Sequence, residues 1–252
     1  MINKKECPFT LEQKNILVSG GSSGIGKATS ILCALLGAQV SIVGRDIDRL
    51  NDTLSGMEGQ GHKNYSMDLT NEENIKELVE YLPNLDGAVF CAGKGLTLPV
   101  QFCSRKQFND IFEINFFSTV ELIRTLYKKK KLNRNASLVL LASMGGTQIY
   151  SGGNSIYGTS KAALNSFMKF AAKEFSTRGI RVNSVCPGMV DTPFIHRGTI
   201  SEEQLKEDAK RYPLKRYGTP NDIANAIVFL LSDASSWITG TSLTIDGGLS
   251  LV

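Results

Sequence analysis

The chain contains a glycine-rich turn between an apolar strand and an amphipathic helix. Residues 15–26 read NILVSGGSSGIG, and residues 27–36 continue with apolar side chains at helical spacing. Glycines allow positive backbone φ angles and let an anion approach the free N–H groups at the start of a helix. We therefore predict a strand–turn–helix unit with a phosphate-binding turn.

Three interpretations of this turn compete. The pattern GxxxxGK at residues 21–27 comes close to a P-loop, but the next residue is Ala28, where a P-loop needs a hydroxyl to hold Mg²⁺. A nucleoside triphosphatase is therefore disfavoured. The usual dinucleotide motif GxGxxG is replaced by GxxxGxG at residues 20–26. A tight turn with a purely structural role is the third interpretation.

Short apolar runs alternate with helical patterns, which is typical of parallel strands joined by crossover helices. We predict strands near residues 15–19, 39–43, 63–67, 86–91, 137–142, 180–186 and 242–245. Helices are predicted near residues 24–36, 46–57, 71–81, 105–129, 155–176 and 220–232, with a further helix at 201–210. A length of 252 residues with 42% apolar content fits one α/β domain over residues 1–252.

The composition excludes several classes of protein. Five widely spaced cysteines favour free thiols in a reducing compartment over a disulfide framework or a zinc site, and two histidines disfavour a histidine-based metal centre. No run approaches the roughly 18 apolar residues of a membrane span, and residues 1–13 lack the apolar core of a signal peptide. A formal charge of +4 is too small to indicate nucleic-acid binding, but it suits an anionic cofactor. We expect a cytoplasmic protein without a metal.

Tyr157 and Lys161 lie four residues apart in a predicted helix, so their side chains share one face about one turn apart. An ammonium ~5 Å from a phenol, at an effective dielectric of ~20, favours the phenolate by ~3 kcal/mol, or about two pKa units. We therefore expect Lys161 to lower the pKa of Tyr157 and to make the phenol useful for proton transfer. The alternative is a surface pair with a half-packed tyrosine ring.

Further motifs follow in an order that resembles the short-chain dehydrogenase/reductase family. The match spans about residues 12–252 and comprises Gly20-x-x-x-Gly24-Ile25-Gly26, Asp68, Ala92-Gly93, Asn115, Ser143, Tyr157-x-x-x-Lys161, Pro187-Gly188 and Ile245-Asp246-Gly247-Gly248. The resemblance implies a single doubly wound Rossmann-type domain, whose mostly parallel seven-stranded sheet has the order 3-2-1-4-5-6-7. It also implies a cofactor across the carboxyl ends of the strands and a substrate lid at about 190–216, since a long loop is more often functional than idle.

The same resemblance implies hydride transfer to a carbonyl carbon, during which negative charge grows on the carbonyl oxygen. In that reaction Tyr157 is the general acid, and Ser143 donates a hydrogen bond to the oxygen. Lys161 tunes Tyr157 and binds the ribose hydroxyls, while Asn115 anchors a water that relays protons to Lys161. The alternatives are a strand-end cap for Ser143 and, for Asn115, an amide that satisfies backbone groups beside a kinked helix.

The end of the second strand decides between NADP and NAD. NAD binding usually needs an acidic residue roughly 20 residues after the glycines, and Asp46 lies at that distance. Asp46 also precedes a helical segment, so we interpret it as a helix N-cap. Arg45 immediately follows the strand, and its guanidinium suits a 2′-phosphate, as in NADPH-preferring members of the family. We predict NADPH, with a solvated loop charge as the alternative role of Arg45.

The remaining cofactor contacts are implied by the resemblance. Besides Arg45, Tyr157 and Lys161, they are Gly20, Ser22, Ser23, Gly24, Ile25, Gly26, Asp68, Leu69, Cys91, Ala92, Gly93, Pro187, Gly188, Val190 and Thr192. Asp68 is implied to accept from the adenine amino group, with a helix cap before Asn71 as the alternative. Two segments depart from the family pattern: Phe90-Cys91 replaces two asparagines, and Ser19 replaces a threonine. No catalytic group is lost, and Cys91 reads as a small core residue rather than a nucleophile.

Within the family, residues 213–220 and 240–248 look most like 3-oxoacyl-(acyl carrier protein) reductases. We therefore predict NADPH-dependent reduction of a 3-oxoacyl thioester, with sugar, steroid-like or polyketide ketones as variants and a non-catalytic dinucleotide sensor as the alternative class. An acidic acyl carrier protein is a candidate partner for residues 128–131, Arg134 and Arg178, although a lysine run at a helix end is usually solvated. Relatives form tetramers, so we predict a homotetramer.

Overall fold

The structure is a computed structural model that describes residues 7–197 and 201–251. Its strands are β1 (Asn15–Ser19), β2 (Gln39–Gly44), β3 (Lys63–Ser66), β4 (Leu85–Phe90), β5 (Leu132–Leu141), β6 (Arg181–Pro187) and β7 (Ser242–Ile245). Its α-helices are α1 (Gly24–Leu35), α2 (Ile47–Ser55), α3 (Glu72–Tyr81), α4 (Arg105–Phe112), α5 (Ser118–Lys128), α6 (Ser155–Phe175), α7 (Glu202–Ala209) and α8 (Pro220–Leu231).

All seven strands form one sheet in the order β3-β2-β1-β4-β5-β6-β7, which confirms the predicted topology. Every neighbouring pair is parallel, so the sheet is fully parallel rather than mostly so. The strand order reverses between β1 and β4, where a doubly wound sheet forms its ligand crevice. Ser19 is paired with Val43 on one side and with Phe90 on the other, so three strands end together at this crevice.

Two apolar layers cover the two faces of the sheet. Leu17 packs in the layer that contains α3, α5 and α6, whereas its neighbour Val18 packs in the layer that contains α1, α2 and α8. A strand buried on both faces needs apolar residues at successive positions. This requirement explains why β1 reads as a continuous apolar run.

Two predicted elements differ from the observed ones. The predicted helix at 105–129 is interrupted by a π-helical segment, Glu113–Phe117, between α4 and α5. Strand β5 begins five residues earlier than predicted, because Leu132 pairs with Leu85 before an irregular stretch; regular pairing resumes where Ser137 meets Gly87. Within the described residues, no helix combines the length and the apolarity needed to cross a membrane.

Candidate active site at the carboxyl ends of the strands

The turn between β1 and α1 has the geometry of an anion cradle. Gly20 and Gly24 adopt positive φ angles of 69° and 52°, and a methyl group added to Gly20 would lie 2.8 Å from the backbone nitrogen of Ala92. Ser23 caps α1 without a side-chain hydrogen bond, and the first turn of α1 contains no acidic residue. The N–H groups at this helix start are thus left for an anionic ligand.

The end of β2 separates the roles of Arg45 and Asp46. The Asp46 carboxylate accepts a hydrogen bond from the Arg49 backbone nitrogen at 3.1 Å and forms an ion pair with Arg49 Nε at 3.2 Å. Asp46 is therefore the N-cap of α2, as predicted. Arg45 is exposed and forms no ion pair with any described residue.

Asp68 does not cap a helix. Its Oδ1 accepts hydrogen bonds from the Thr70 backbone nitrogen at 3.0 Å and from the Thr70 hydroxyl at 2.9 Å. Asn71 caps α3 instead. Asp68 and the neighbouring Leu69 thus lie in the turn after β3, at the same edge of the sheet as the glycine-rich turn.

The two departures from the family pattern are accommodated locally. Ser19 Oγ accepts a hydrogen bond from the Ala92 backbone nitrogen at 3.4 Å and so still links β1 to the loop after β4. Burial raises the pKa of the Cys91 thiol to about 12, which keeps the thiol protonated and unreactive. All five cysteines are free thiols.

Lys161 is a buried cation with a single hydrogen-bond acceptor. Its side chain is 3% exposed on α6, and Nζ donates to the Leu141 carbonyl at the end of β5 over 2.7 Å. Burial lowers the pKa of Lys161 to about 8, and no carboxylate among the described residues pairs with it. Two of its three N–H donors therefore stay available for a ligand.

The pKa of Tyr157 is raised, contrary to the expectation from helical spacing. Burial of the phenol raises this pKa, and the nearby Ser143 side chain lowers it only in part. Lys161 Nζ lies 6.0 Å from the centre of the Tyr157 ring and is bonded to Leu141 instead. Desolvation therefore outweighs the attraction that the sequence argument assigned to the ammonium.

Ser143 follows β5 and forms a tight turn. Its Oγ accepts from the Gly145 backbone nitrogen at 3.0 Å, and its carbonyl accepts from the Thr147 hydroxyl at 2.8 Å. The hydroxyl hydrogen of Ser143 remains free to donate toward the space beside Tyr157. Ser143 thus combines the predicted strand-end role with a position in the site.

Asn115 lies in the π-helical segment and links three parts of the chain. Its Oδ1 accepts from the Lys94 backbone nitrogen at 2.7 Å, and its Nδ2 donates to the Lys94 carbonyl at 3.0 Å and to Ser160 Oγ at 2.9 Å. Ser160 in turn donates to the Tyr157 carbonyl at 2.7 Å. Sequence reasoning missed Ser160, for which the only signal was a hydroxyl immediately before Lys161 on a predicted helix.

A methyl group added to Gly93 would lie 3.3 Å from Asn115 Oδ1 and 3.3 Å from Lys161 Nζ. The amide oxygen and the ammonium therefore face the same small space beside the loop after β4. Asn115 satisfies backbone groups, as the alternative interpretation required, and it also borders Lys161.

The predicted lid begins over the site. The Phe194 ring lies 5.9 Å from the Tyr157 ring, and a methyl group on Gly95 would lie 2.6 Å from a Phe194 ring atom. Thr192 contacts the glycine-rich turn, since a methyl group on Gly24 would lie 3.3 Å from Thr192 Cγ2. Part of the predicted lid, residues 198–200, lies outside the described residues.

Polar contacts fix both ends of the lid. His196 Nε2 lies 2.7 Å from Asp191 Oδ1, and His196 Nδ1 lies 3.1 Å from Glu202 Oε1. Tyr212 is 1% exposed, and its hydroxyl accepts from the Met189 backbone nitrogen at 3.1 Å. The lid is thereby tied to the loop that follows Pro187 and Gly188, beside Val190.

The chain fits a dinucleotide at this edge of the sheet. The positive-φ glycines and the uncapped start of α1 suit a diphosphate, and the free N–H donors of Lys161 suit ribose hydroxyls. The described residues contain no group of three or more histidine, cysteine, aspartate or glutamate side chains arranged for a metal.

Known proteins with similar sequences and structures agree with this arrangement. Residues 20–250 match the family model described as enoyl-(acyl carrier protein) reductase. The chain is 34% identical to a 3-oxoacyl-[acyl-carrier-protein] reductase of Thermotoga maritima, with 95% of this chain and 98% of the relative covered. It is 30% identical to a tropinone reductase homolog of Arabidopsis thaliana, with 96% and 93% covered.

A short-chain type dehydrogenase/reductase from Mycobacterium ulcerans has a similar structure, with a TM-score of 0.87 at 30% identity over 96% of this chain and 91% of that one. The matched fold, the full-length coverage and the polar groups gathered at the crevice have one common explanation. The chain belongs to the short-chain dehydrogenase/reductase family, oxidoreductases that interconvert alcohols and ketones with a nicotinamide dinucleotide.

Proposed function

We propose that the protein is an NADPH-dependent carbonyl reductase. The observation that carries this proposal is that Tyr157 lies beside Ser143 and 6.0 Å, measured from its ring centre, from Lys161 Nζ, at the crevice where the strand order reverses. When bound, the reduced nicotinamide supplies a hydride to the carbonyl carbon of the substrate. The residues of the chain must then hold the carbonyl oxygen and deliver a proton to it.

The raised pKa of Tyr157 suits reduction. A phenol with a raised pKa is fully protonated at neutral pH, so Tyr157 can donate its proton to the developing alkoxide. Ser143 donates a second hydrogen bond to that oxygen. Lys161, with a pKa of about 8, is mostly charged at pH 7 and stabilises the phenolate that Tyr157 becomes after it has donated its proton.

The side chains around Gly93 support a route for replacing the proton. Asn115 Oδ1 and Lys161 Nζ border the same small space, which an ordered water would fill between an acceptor and a donor. Such a water would pass a proton to Lys161 and from there to Tyr157. Asn115 would hold this water, while Ser160 keeps Asn115 against the catalytic helix.

The end of β2 supports NADPH over NADH. In an NAD-binding protein the Asp46 carboxylate would accept a hydrogen bond from the ribose hydroxyl. Here it already accepts from the backbone nitrogen of Arg49 and pairs with the Arg49 guanidinium. Arg45 is exposed and without an ionic partner among the described residues, so its guanidinium is free for a 2′-phosphate. A methyl group on Gly44 would lie 3.4 Å from Ser22 Oγ, which places a hydroxyl beside the same strand end.

The direct test measures NADPH oxidation against a panel of ketones that includes acetoacetyl thioesters. Tyr157→Phe keeps the ring but removes the proton donor, so turnover should fall at least ~10²-fold while NADPH binding, followed by fluorescence, persists. Near-wild-type turnover by Tyr157→Phe would contradict the proposed mechanism. Binding of NADPH without reduction of any ketone would favour a dinucleotide sensor.

The cofactor proposal is tested by Arg45→Ala. Loss of a charge-assisted hydrogen bond should weaken NADPH binding by ~1.5–3 kcal/mol and leave NADH binding almost unchanged. Arg49→Ala is not an adequate control, because Arg49 forms an ion pair with Asp46. The control is Lys63→Ala, which removes an exposed positive charge at the start of β3. A wild-type preference for NADH would contradict the role of Arg45 and indicate that Asp46 binds the ribose hydroxyl.

For the substrate we propose a 3-oxoacyl thioester, supported by the 34% identity to a 3-oxoacyl-[acyl-carrier-protein] reductase. The carrier surface predicted from the sequence is only partly free. Lys129 pairs with Glu80 at 2.9 Å, Lys131 donates to the Leu82 carbonyl, and Arg178 donates to the Leu132 carbonyl. These residues precede β5 and β6, so they lie at the edge of the sheet opposite Ser143 of the same subunit.

Carrier docking is tested with residues whose charge the fold does not use. Lys128 and Lys130 are exposed and form no ion pair with a described residue. The double change Lys128→Glu and Lys130→Glu should slow reduction of a carrier-linked substrate, more at low salt than at high salt, and spare a short thioester. Equal effects on both substrates, or none, would leave a free ketone as the substrate.

We also propose a homotetramer. Phe170 on α6 and Phe117 at the end of the π-helical segment are 66% and 51% exposed, and such side chains suit a twofold interface. Sedimentation of a monomer at micromolar concentration would contradict this assembly.

A further inference from the structure

Lys94 lies between the cofactor side and the substrate side of the site. Its neighbour Gly93 is next to Lys161 Nζ, and its other neighbour Gly95 lies under the Phe194 ring that covers Tyr157. Adjacent Cα atoms are about 3.8 Å apart, so the Lys94 backbone is within two peptide units of both landmarks. Its side chain starts at the point where the loop passes from one side of the site to the other.

Asn115 fixes the backbone at this lysine. The amide of Asn115 bonds both to the nitrogen and to the carbonyl of Lys94, at 2.7 and 3.0 Å, and Asn115 is itself fully buried in the π-helical segment. A loop residue held on both of its backbone groups cannot shift without breaking the Asn115 contacts. The starting point of the Lys94 side chain is therefore as well ordered as a residue in a helix.

The charges at this edge leave Lys94 without a counter-ion. Its side chain is exposed and forms no hydrogen bond or ion pair with the residues described. Two carboxylates in the loops after β6 and β7 are engaged elsewhere: Asp191 with His196, and Asp246 with the backbone nitrogens of Gly248 and Ser250. With Lys161 also cationic, the site presents an excess of positive charge to its substrate.

We infer that the substrate carries an anionic group, a carboxylate or a phosphate, a few bonds from its ketone, and that Lys94 binds this group. The inference rests on the proposed carbonyl reduction at Tyr157. Within that reaction it favours oxo acids and phosphorylated ketones over the 3-oxoacyl thioester, which has no anionic group close to its ketone. An ammonium on a flexible stem suits either anion as a point charge.

The cofactor is a less suitable partner for Lys94 than the substrate. The glycine-rich turn already offers the free N–H groups of α1 to a diphosphate. Arg45, at the end of β2, suits a 2′-phosphate. The loop from Gly93 to Gly95 runs away from these two places and toward Phe194 and Tyr157.

The test compares each anion with a neutral twin of similar size. The panel contains 2-, 3- and 4-oxo acids with their methyl esters, and dihydroxyacetone phosphate with dihydroxyacetone. The wild-type protein should favour at least one anion over its twin by about tenfold or more in kcat/KM, and high salt should reduce that ratio. The identity of the favoured pair tells a carboxylate from a phosphate.

Lys94→Met keeps the length of the side chain but removes the charge. It should abolish the preference for the anion, mainly through a higher KM, while the neutral twin changes less than about threefold. NADPH affinity, measured by fluorescence titration, should be unchanged. Lys63→Met is the matched control, because it removes an exposed lysine charge at the start of β3, at the opposite edge of the sheet, and should leave every ratio intact.

Three results would overturn the inference, and each is distinct from failure of the proposed function. Equal kcat/KM values of the wild-type protein for an anion and its neutral analogue would show that the site does not recognise the anionic group. An unchanged ratio in Lys94→Met would assign the preference to another residue, and weaker NADPH binding would assign Lys94 to the cofactor. Failure of the proposed function would instead appear as no reduction of any ketone, charged or neutral.

Discussion

Two buried cations at opposite edges of the sheet are treated very differently by the fold. Arg181, at the amino-terminal edge, donates to the carbonyls of Leu230 and Ser232 at 2.9 and 3.1 Å and to Ser235 Oγ at 2.8 Å. Lys161, at the carboxyl edge, donates to Leu141 alone. The carbonyls that accept from Arg181 also accept from the hydroxyls of Ser137 and Ser235, so Arg181 belongs to a hydrogen-bond network within the fold, whereas most of the donors of Lys161 are free.

This contrast separates a structural charge from a functional one. Burying an ammonium with one acceptor destabilises the charged form, which is why the pKa of Lys161 falls to about 8. A stable fold gains nothing from such an arrangement. The arrangement is useful only if a ligand completes the coordination of Lys161, so the two edges should respond oppositely to loss of their cations.

The largest effect should follow Lys161→Met. Removing the ammonium deprives Tyr157 of its charge partner and the ribose of its donors, so kcat/KM should fall by ~10³-fold, within the range for loss of acid–base catalysis. Urea unfolding at pH 7 should show equal or greater stability than wild type. Substantial destabilisation with retained turnover would show that Lys161 has a structural role like that of Arg181, and would contradict the contrast.

Arg181→Met should have the next largest effect, on stability instead of activity. It removes the hydrogen bonds that the buried guanidinium donates to Leu230, Ser232 and Ser235, which should lower the free energy of unfolding by ~1.5–3 kcal/mol. Turnover per folded molecule should stay close to wild type. Chemical unfolding with an active-site titration measures both quantities, and loss of turnover in the fully folded fraction would contradict the structural role.

The pH dependence of stability should sharpen the contrast. The pKa of Lys161 is 10.5 in the unfolded reference and about 8 in the fold, so between these values the unfolded chain binds a proton that the folded chain lacks. Stability contributed by this group therefore rises with pH in that window, by at most ~3 kcal/mol, and is flat below it. Subtracting unfolding curves of Lys161→Met from those of wild type isolates the rise; a flat difference would refute the lowered pKa.

The smallest effect concerns His196, an exposed lid residue whose imidazole carries a positive charge when protonated. Hydrogen bonding to Asp191, with the charges of Asp191 and Glu202, raises the pKa of His196 above 6.5. The stabilisation is fully present below the unfolded value and is lost as the pH rises through the raised folded value. Limited proteolysis of the lid should therefore quicken on going from pH 6 to pH 8.5 in wild type and less in His196→Ala. Equal pH responses of the two proteins would show that the contacts of His196 with Asp191 and Glu202 do not stabilise the lid.

Most of the fold was predictable because strands buried on both faces leave continuous apolar runs. Strand β1, buried along most of its length, was predicted with its observed bounds. So was β7, whose half-buried residues alternate in polarity, and the sheet order followed from the family resemblance. The early start of β5 was missed because residues 133–135 are polar, and only their irregular pairing shows that the strand extends through them. Local sequence cannot report such a register shift.

The sequence motifs pointed to residues that the fold brings together, but they did not give the electrostatics of those residues. Tyr157, Ser143, Lys161 and Asn115 lie together at the crevice, yet the sequence argument gave the wrong direction for the pKa of Tyr157. Spacing along a helix sets the distance between two side chains but says nothing of their desolvation or of a competing acceptor such as Leu141. Lys94 was missed for a related reason, because its importance arises from Asn115, which is distant in sequence.

The π-helical segment makes this part of the chain unusually sensitive to changes of length. Buried positions at Ile111, Asn115, Ser118 and Leu122 keep helical spacing, so the sequence reads as one unbroken helix. Each residue of an α-helix advances about 100° around its axis. A π-helical turn holds about one residue more than an α-helical turn, so removing a single residue between Glu113 and Phe117 would let α4 and α5 join as one regular α-helix. Asn115 would then lose the position from which its amide bonds to Lys94 and Ser160, so the deletion would damage the site more than the packing of the two helices.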